Sequence, residues 1–224
     1  MPSDLSPLSL LDARILGVMV EKQHTVPDTY PLSLNALTAG CNQKTSRDPV
    51  LNASEAEVQE AIDRLRSASL VVESSGGRVM RYAHNIERVL GVPSQAVALL
   101  AAMMLRGPQT AGELRISSER IHRFADGSAV EAFLHELAQR SAGALVAMLP
   151  RAAGARESRW MHLLSGAPVV AANKETDGYA PEDAAAMRLE ISALKTSVAE
   201  LRDEIAVLRA SVAGLRIAQN GDTG

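Results

Sequence analysis

A helical apolar pattern that follows a polar helix start occurs twice in this chain, at an offset of 72 residues, and this repeat restricts the fold more than any other feature. The first copy begins with Ser54 and Glu57, the spacing of a capping box, and the second with Ser128 and Glu131. In each copy the apolar residues share the spacing of one helix face, and they are Val58, Ala61, Ile62 and Leu65, and then Val130, Phe133, Leu134 and Leu137. We therefore expect two similar units in tandem.

Two helices are predicted before each copy and a β-hairpin after it. In the first unit the helices are predicted at residues 9–23, with Ser9 and Asp12 as a capping pair, and from the N-cap Ser33 to near Cys41. The strands are predicted at 70–73 and 78–82, around a turn at 74–77. In the second unit the helices begin at Ser94 and at the Thr110 capping box, and the strands are predicted at 145–149 and 160–164.

Three helices followed by a hairpin are typical of a winged helix. The sequence therefore predicts a mainly α protein with small β-hairpin wings, in which two tandem winged-helix domains occupy residues 1–90 and 91–166. The second wing is the loop at 150–159, between the last two strands.

The C-terminal part carries a heptad pattern. After a predicted linker at 167–181, β-branched residues and Leu alternate through a predicted coiled-coil helix at 182–218. The predicted dimerisation residues are Ile191, Leu194, Val198, Leu201, Ile205, Leu208, Val212 and Leu215. This choice of core residues favours a parallel homodimer. An antiparallel pair and a single amphipathic helix docked on the domains are the alternatives.

Composition excludes several classes of protein. The chain has one cysteine, Cys41, so it has no intramolecular disulfide, and a reducing compartment is expected. It lacks a signal-peptide pattern and an apolar run long enough to cross a bilayer, so we expect a cytoplasmic protein with no membrane partner. The net charge of −3 argues against a globally basic nucleic-acid binder. Only residues 91–166 lean basic.

Three sequence segments resemble the YceH-like family of uncharacterised bacterial proteins. They are VMVEKQHTVPDTYPLSLNALTAGCNQKTSRDPV, LRGPQTAGEL and LPRAAGARESRWMHLLSG, within a resemblance that covers residues 8–166. The resemblance implies a tandem winged-helix fold, commonly with a short C-terminal coil, and it implies no established activity or ligand. The segment RISSERIHRFADG is less basic than this resemblance leads us to expect.

Catalytic motifs are absent from the sequence. It has no glycine-rich phosphate loop, no nucleophile elbow and no His-Glu-x-x-His or Cys-x-x-Cys pattern, and its five histidines do not have ligand spacing. We therefore expect no enzyme activity, no catalytic residue, no metal site and no cofactor. Cys41 is interpreted as a small core residue and Trp160 as a packing anchor at the base of the second wing.

Arginines in the second unit indicate a possible DNA-contacting edge, because phosphate contacts require cationic side chains. The candidate DNA-binding residues are Arg151, Arg156 and Arg159 in the wing, Arg115, Arg120 and Arg123 before the third helix, and Lys44 and Arg47 in the first unit. In the first unit, by contrast, Glu55 and Glu57 place negative charge at the start of the third helix.

Two functions follow from these patterns. The first is a dimeric, transcription-regulator-like DNA-binding protein that uses the second unit. The alternative is a protein-interaction scaffold of tandem winged helices that binds an unidentified protein and no DNA. The alternative for the arginines is that they are solvated surface residues or partners of Glu119 and Glu157.

Overall fold

The structure is a computed structural model that describes residues 6–74, 79–152 and 154–166. The described part is mainly helical and contains two small antiparallel sheets. The helices are α1 (Leu10–Thr25), α2 (Leu34–Cys41), α3 (Glu55–Ser67), α4 (Ile86–Leu90), α5 (Ser94–Arg106), α6 (Ala111–Ser118) and α7 (Gly127–Ala138). The strands are β1 (Leu32–Ser33), β2 (Val71–Ser74), β3 (Arg81–His84), β4 (Val146–Met148) and β5 (Trp160–His162). A short 3-10 helix, Pro27–Thr29, follows α1.

Side-chain caps begin the first three helices, as the sequence predicts. Ser9 and Asp12 form a capping box before α1, Ser33 caps α2, and Ser54 forms a capping box with Glu57 before α3. The hairpin of β2 and β3 is extended by β1, so that the strand order is β1-β3-β2. In this sheet Leu32 pairs with Tyr82, and β1 thereby connects the start of α2 to the hairpin.

The second half of the described chain repeats this order. Thr110 and Glu113 form the predicted capping box of α6, and β4 pairs with β5. A single antiparallel bridge between Gln109 and Trp160 occupies the place that the β1–β3 pairing has in the first half. In both halves, the residue before the N-cap of the second helix thus pairs with an aromatic residue of the last strand.

The predicted cap of α7 is wrong. Ser128 and Glu131 do not form a capping box, because α7 begins earlier and Asp126 accepts a hydrogen bond from the Ala129 N–H at 2.9 Å. Asp126 lies 72 residues after Ser54, so the correct cap obeys the repeat offset that the apolar residues follow. The sequence analysis also did not include β1 and α4, and the predicted turn at 74–77 lies mostly outside the described residues.

The elements of both halves contribute to one continuous hydrophobic core. α1 packs along α5, and at Gly17 the helices approach so closely that a Cβ there would lie 2.9 Å from Leu105 Cγ. Cys41 is fully buried in this core and Trp160 is 5% exposed, which confirms both as packing residues. The predicted repeat is confirmed in α3, where all four apolar residues are buried, and in α7 for Val130, Leu134 and Leu137, whereas Phe133 is only partly buried against the core.

The chain divides into two units, Met1–Val169 and Val170–Gly224, and the described residues belong to the first. The predicted linker at 167–181 and the predicted coiled coil at 182–218 lie outside the described residues. Among the helices that the structure describes, none is long and apolar enough to cross a membrane.

Candidate nucleic-acid interface

Four of the arginines selected from the sequence are exposed on two segments that flank α7. Arg120 and Arg123 lie in the turn between α6 and α7, and Arg151 and Arg156 lie in the loop between β4 and β5. None of the four makes an ion pair or a side-chain hydrogen bond with the described residues. Their guanidinium groups are therefore available to an external anion.

The two other arginines of this half have internal partners. Arg115 donates a hydrogen bond to the Ala125 carbonyl at 3.3 Å and, together with Arg123, lines a small recess over Phe124. Arg159 forms an ion pair with Glu113 at 2.9 Å and donates to the Pro108 carbonyl at 2.8 Å. Arg159 thus ties the end of the β4–β5 loop to α6.

Arg47 is placed in the interior, although the sequence analysis selected it as a DNA contact. It is 6% exposed, and its guanidinium donates to Glu21 at 2.6 Å and to the Gly40 carbonyl at 3.2 Å. Burial acts to raise the pKa of Glu21, but the hydrogen bond and charge of Arg47 outweigh it, so this pKa lies below its ordinary value. Because Arg47 is enclosed in this way, it does not face an external phosphate.

A second buried arginine fixes the same loop from the other side. Arg14, on α1, is fully buried and donates to the Cys41 carbonyl at 3.1 Å and to the Pro49 carbonyl at 2.6 Å. The segment between α2 and α3 is therefore anchored to α1 by two guanidinium groups. Of the two basic residues predicted to contact DNA from this segment, only Lys44 is exposed.

The exposed faces of the third helix in each half carry mainly negative charge. On α3 the exposed acidic residues are Glu55, Glu57, Glu60 and Asp63, while Arg66 is paired with Glu73 at 2.9 Å. On α7 the exposed titratable residues are Glu131, His135 and Glu136. Any cationic surface in the second half is therefore at the edges of α7 and not on the helix itself.

Chemistry other than binding finds little support in the described residues. Burial raises the pKa of the Cys41 thiol to about 12, which keeps it protonated and unreactive. No group of three or more potential metal ligands occurs within residues 6–74, 79–152 and 154–166. Burial also lowers the pKa of His84 and of His162 to about 4, so both imidazoles are neutral near pH 7.

One surface feature was not predicted from the sequence. A cleft of about 270 Å³ opens between α7 and the β4–β5 hairpin, and its lining includes Glu131, His135, Met148, Glu157 and Trp160. These residues come from α7, from both strands of the β4–β5 hairpin and from the loop that joins them. Trp160 was the one lining residue that the sequence singled out, because it was interpreted as a packing anchor at the base of the second wing.

These features define a mainly helical protein with two small antiparallel sheets. The family described as "Protein of unknown function, DUF480" matches residues 8–155. A UPF0502 protein of Dechloromonas aromatica (strain RCB) is 60% identical over 195 residues, which cover 85% of this chain and 91% of that protein. A UPF0502 protein of Burkholderia orbicola (strain MC0-3) is 67% identical over 165 residues, or 74% of this chain and 70% of that protein.

The chain belongs to this DUF480 or UPF0502 family of uncharacterised bacterial proteins, and the resemblance to the YceH-like family is consistent with that membership.

Proposed function

We propose that the chain is a tandem winged-helix protein. The support is the order of its elements, which is a helix, a short strand or bridge, two helices and a hairpin, in both halves. In such a unit the second and third helices form a helix-turn-helix, and the hairpin is the wing. In the second half these parts are α6, α7 and the β4–β5 hairpin.

We further propose that the second half binds DNA through the two segments beside α7. The observation that carries this proposal is the set of four exposed arginines that have no side-chain partner among the described residues, Arg120 and Arg123 in the turn and Arg151 and Arg156 in the loop. Turns and wings contact the phosphate backbone, and such contacts provide most of the sequence-independent affinity. With a dimer formed by the C-terminal heptads, a specific site would be an inverted repeat.

The first half is assigned a structural role in this proposal. Its third helix presents acidic residues, which repel phosphates, and Arg47 is engaged in the interior. Lys44 is the one residue of the predicted set that remains exposed there. Replacing Lys44 by Gln is therefore expected to leave DNA affinity nearly unchanged.

Fluorescence anisotropy with labelled genomic and random duplexes over a salt series tests the proposal. We expect the affinity of the wild type to fall steeply with salt, because each phosphate contact releases counterions. Replacing both Arg151 and Arg156 by Gln is expected to weaken binding to all sequences and to lower the magnitude of the salt slope by about 2 per bound protomer. The double replacement of Arg120 and Arg123 by Gln is expected to act in the same way.

The matched control is Arg88→Gln, which removes an exposed arginine on α4, an element that belongs to neither segment. It is expected to keep the affinity and slope of the wild type. Binding that is undetectable at low salt, or that is equally sensitive to Arg88→Gln, would contradict DNA binding through this edge.

A protein-interaction scaffold is the second candidate function, and the acidic exposed faces of α3 and α7 favour it. In this case a basic protein surface would take the place of DNA. Loss of DNA binding at low salt, together with retention of a protein complex after nuclease treatment, is the result expected for a scaffold.

A further inference from the structure

The cleft between α7 and the β4–β5 hairpin, here called the α7–β5 cleft, combines an apolar floor with a negatively charged rim. Met148 on the hairpin is 49% exposed, whereas Trp160 beside it is 5% exposed. The His135 ring stands edge-on to the indole, with the ring centroids 5.2 Å apart and an interplanar angle of 90°. The lining of the cleft thus offers aromatic and thioether surface to a ligand.

Two carboxylates lie at the rim. Glu131 projects from α7 and Glu157 from the β4–β5 loop, and both are exposed. Neither forms an ion pair or a side-chain hydrogen bond with the part of the chain that the structure describes. Arg159 is the first arginine after Glu157 in the sequence. Its guanidinium forms an ion pair with Glu113 and donates to the Pro108 carbonyl, and it does not pair with Glu157.

Size and charge select the class of ligand. A cleft of about 270 Å³ lies at the lower end of the sizes usual for ligand pockets, and it accommodates one long side chain. Two unpaired carboxylates repel a phosphate and attract a cation. Lys and Arg side chains have the matching form, because their aliphatic stems cover apolar surface while the charged head reaches polar partners.

We propose that the α7–β5 cleft is a docking site for a protein partner and that it receives a lysine or arginine side chain of that partner. The stem of the side chain lies against Met148 and Trp160, and its head contacts Glu131 and Glu157. A polypeptide is favoured over a small amine because the exposed Met148 offers apolar surface to the residues beside the inserted side chain. This docking site does not depend on the proposed binding of DNA.

The single tryptophan of the chain reports on this cleft directly, since Trp160 lines it. The probe is a blocked peptide of sequence GLRLG, which contains no aromatic residue, titrated into the full-length protein at low salt while tryptophan emission is recorded. The matched peptide GLQLG keeps the length and apolar residues but lacks the cation. We expect GLRLG to change the emission saturably and to bind several-fold more tightly than GLQLG.

Substitutions of Glu131 and Glu157 test whether the tighter binding of GLRLG depends on the two carboxylates. Glu131→Gln and Glu157→Gln are each expected to weaken GLRLG by about two- to fivefold, the range of an exposed ion pair, and to leave GLQLG unchanged. Glu136→Gln is the control, because Glu136 is exposed on the same helix but does not line the cleft. Both rim residues are exposed, so these substitutions are expected to leave the fold intact, and thermal unfolding verifies it.

Several results would overturn the proposal. They are equal affinity for the two peptides, indifference of GLRLG to both rim variants, and binding of spermidine as tight as that of GLRLG, which would assign the cleft to small amines. A DNA duplex that changed the Trp160 emission when GLRLG did not would assign the cleft to nucleic acid and would also overturn it.

Discussion

Arginine side chains in this protein occupy three environments that the sequence does not distinguish. Arg14 and Arg47 are buried and bonded to backbone carbonyls, Arg159 is paired at the surface, and Arg151 is exposed without a described partner. The loop that contains Arg47 is polar and follows a short helix, so its sequence is typical of an exposed turn. Its burial depends on Glu21, which lies 26 residues earlier, and no local pattern predicts that contact.

Arg47→Met tests whether this residue is structural. Removing the guanidinium leaves the Gly40 carbonyl without this donor and the Glu21 carboxylate with only the longer ion pair to Lys22 at 3.6 Å, so we expect the free energy of unfolding to fall by about 2–4 kcal/mol. Urea denaturation followed by circular dichroism measures it. Lys44→Met, on the exposed part of the same loop, is expected to change stability by less than about 0.5 kcal/mol. Equal effects of the two substitutions would contradict the assigned role of Arg47.

Two half-buried histidines predict the pH dependence of stability. His84 and His162 occupy matching places in the two hairpins, opposite the buried residues Val71 and Val146. Burial lowers the pKa of each to about 4, and the charge of His24 adds to the effect at His84. Since the unfolded chain binds these protons with a pKa of about 6.5, stability is full above that pH and is lost as the pH falls towards 4.

Thermal unfolding between pH 7.5 and pH 4 measures this loss. We expect the melting temperature to fall below pH 6.5, and His162→Gln to flatten the profile because Gln has no proton to bind. His135→Gln, at an exposed position, is the control and is expected to keep the slope of the wild type. A profile that His162→Gln leaves as steep as before would show that other groups cause the loss.

At the scale of elements, the sequence predicted best where local chemistry determines the structure. The capping boxes at Ser9, Ser54 and Thr110 are confirmed, because each requires only residues within one turn of helix. The hairpin strands are confirmed in kind but shifted by up to three residues. At the start of α7 the sequence offers two polar residues that can cap the helix. Asp126 is the N-cap, and the Ser128 hydroxyl donates to the Asp126 carboxylate at 2.7 Å.

The close approach of α1 and α5 depends on a glycine. We expect Gly17→Ala to cost about 1–3 kcal/mol in overpacking, because the new methyl would lie 2.9 Å from Leu105 Cγ and 3.2 Å from Met104 Cβ in the core. The gain of about 1 kcal/mol in helix propensity offsets part of this cost, so the net destabilisation is expected to reach about 2 kcal/mol. Chemical denaturation measures the difference.

The control for Gly17 is another helical glycine with free space around it. At Gly112, in α6, the nearest atom to an added Cβ is Thr110 Oγ1 at 3.9 Å. Gly112→Ala is therefore expected to be neutral or to stabilise the protein by up to about 1 kcal/mol. The Gly17→Ala penalty is further expected to shrink in a Leu105→Ala background. If Gly17→Ala stabilised the protein as Gly112→Ala does, the helices would not be in close contact there.

At the scale of the whole molecule, the candidate site could be predicted only in part. Charge counting selected the second half, and the structure leaves Arg120, Arg123, Arg151 and Arg156 exposed there, while the binding of DNA by these residues stays a prediction. The α7–β5 cleft could not be predicted in this way, since Glu131, Met148 and Glu157 meet only after α7 has packed on the hairpin. The shared core of the two halves was likewise not predicted from the sequence. The apolar residues of α1 and of α5 each fit a helix that packs only within its own domain, whereas in the structure they belong to one core.

Assembly of the whole molecule is predicted from the heptads at residues 191–215, which lie outside the described residues. Replacing both Leu201 and Leu208 by Asp places charges in the core of the predicted coiled coil and is expected to convert a homodimer into folded monomers. Sedimentation equilibrium at micromolar concentration measures the mass, and circular dichroism verifies the fold of the variant. A wild type that sediments as a monomer would contradict the predicted coiled coil.

The direction of the two helices is tested by a cysteine at a core position. In a parallel dimer the two copies of residue 194 face each other, so Leu194→Cys is expected to give a covalent dimer on mild oxidation. In an antiparallel dimer centred on the same heptads the two residues would lie about 27 Å apart along the axis, too far for a disulfide. The native Cys41 does not interfere, because it is fully buried. The parallel arrangement is expected because it places Glu190 near Lys195 and Glu204 near Arg209 of the partner chain, whereas the antiparallel one would bring the basic residues of the two helices together.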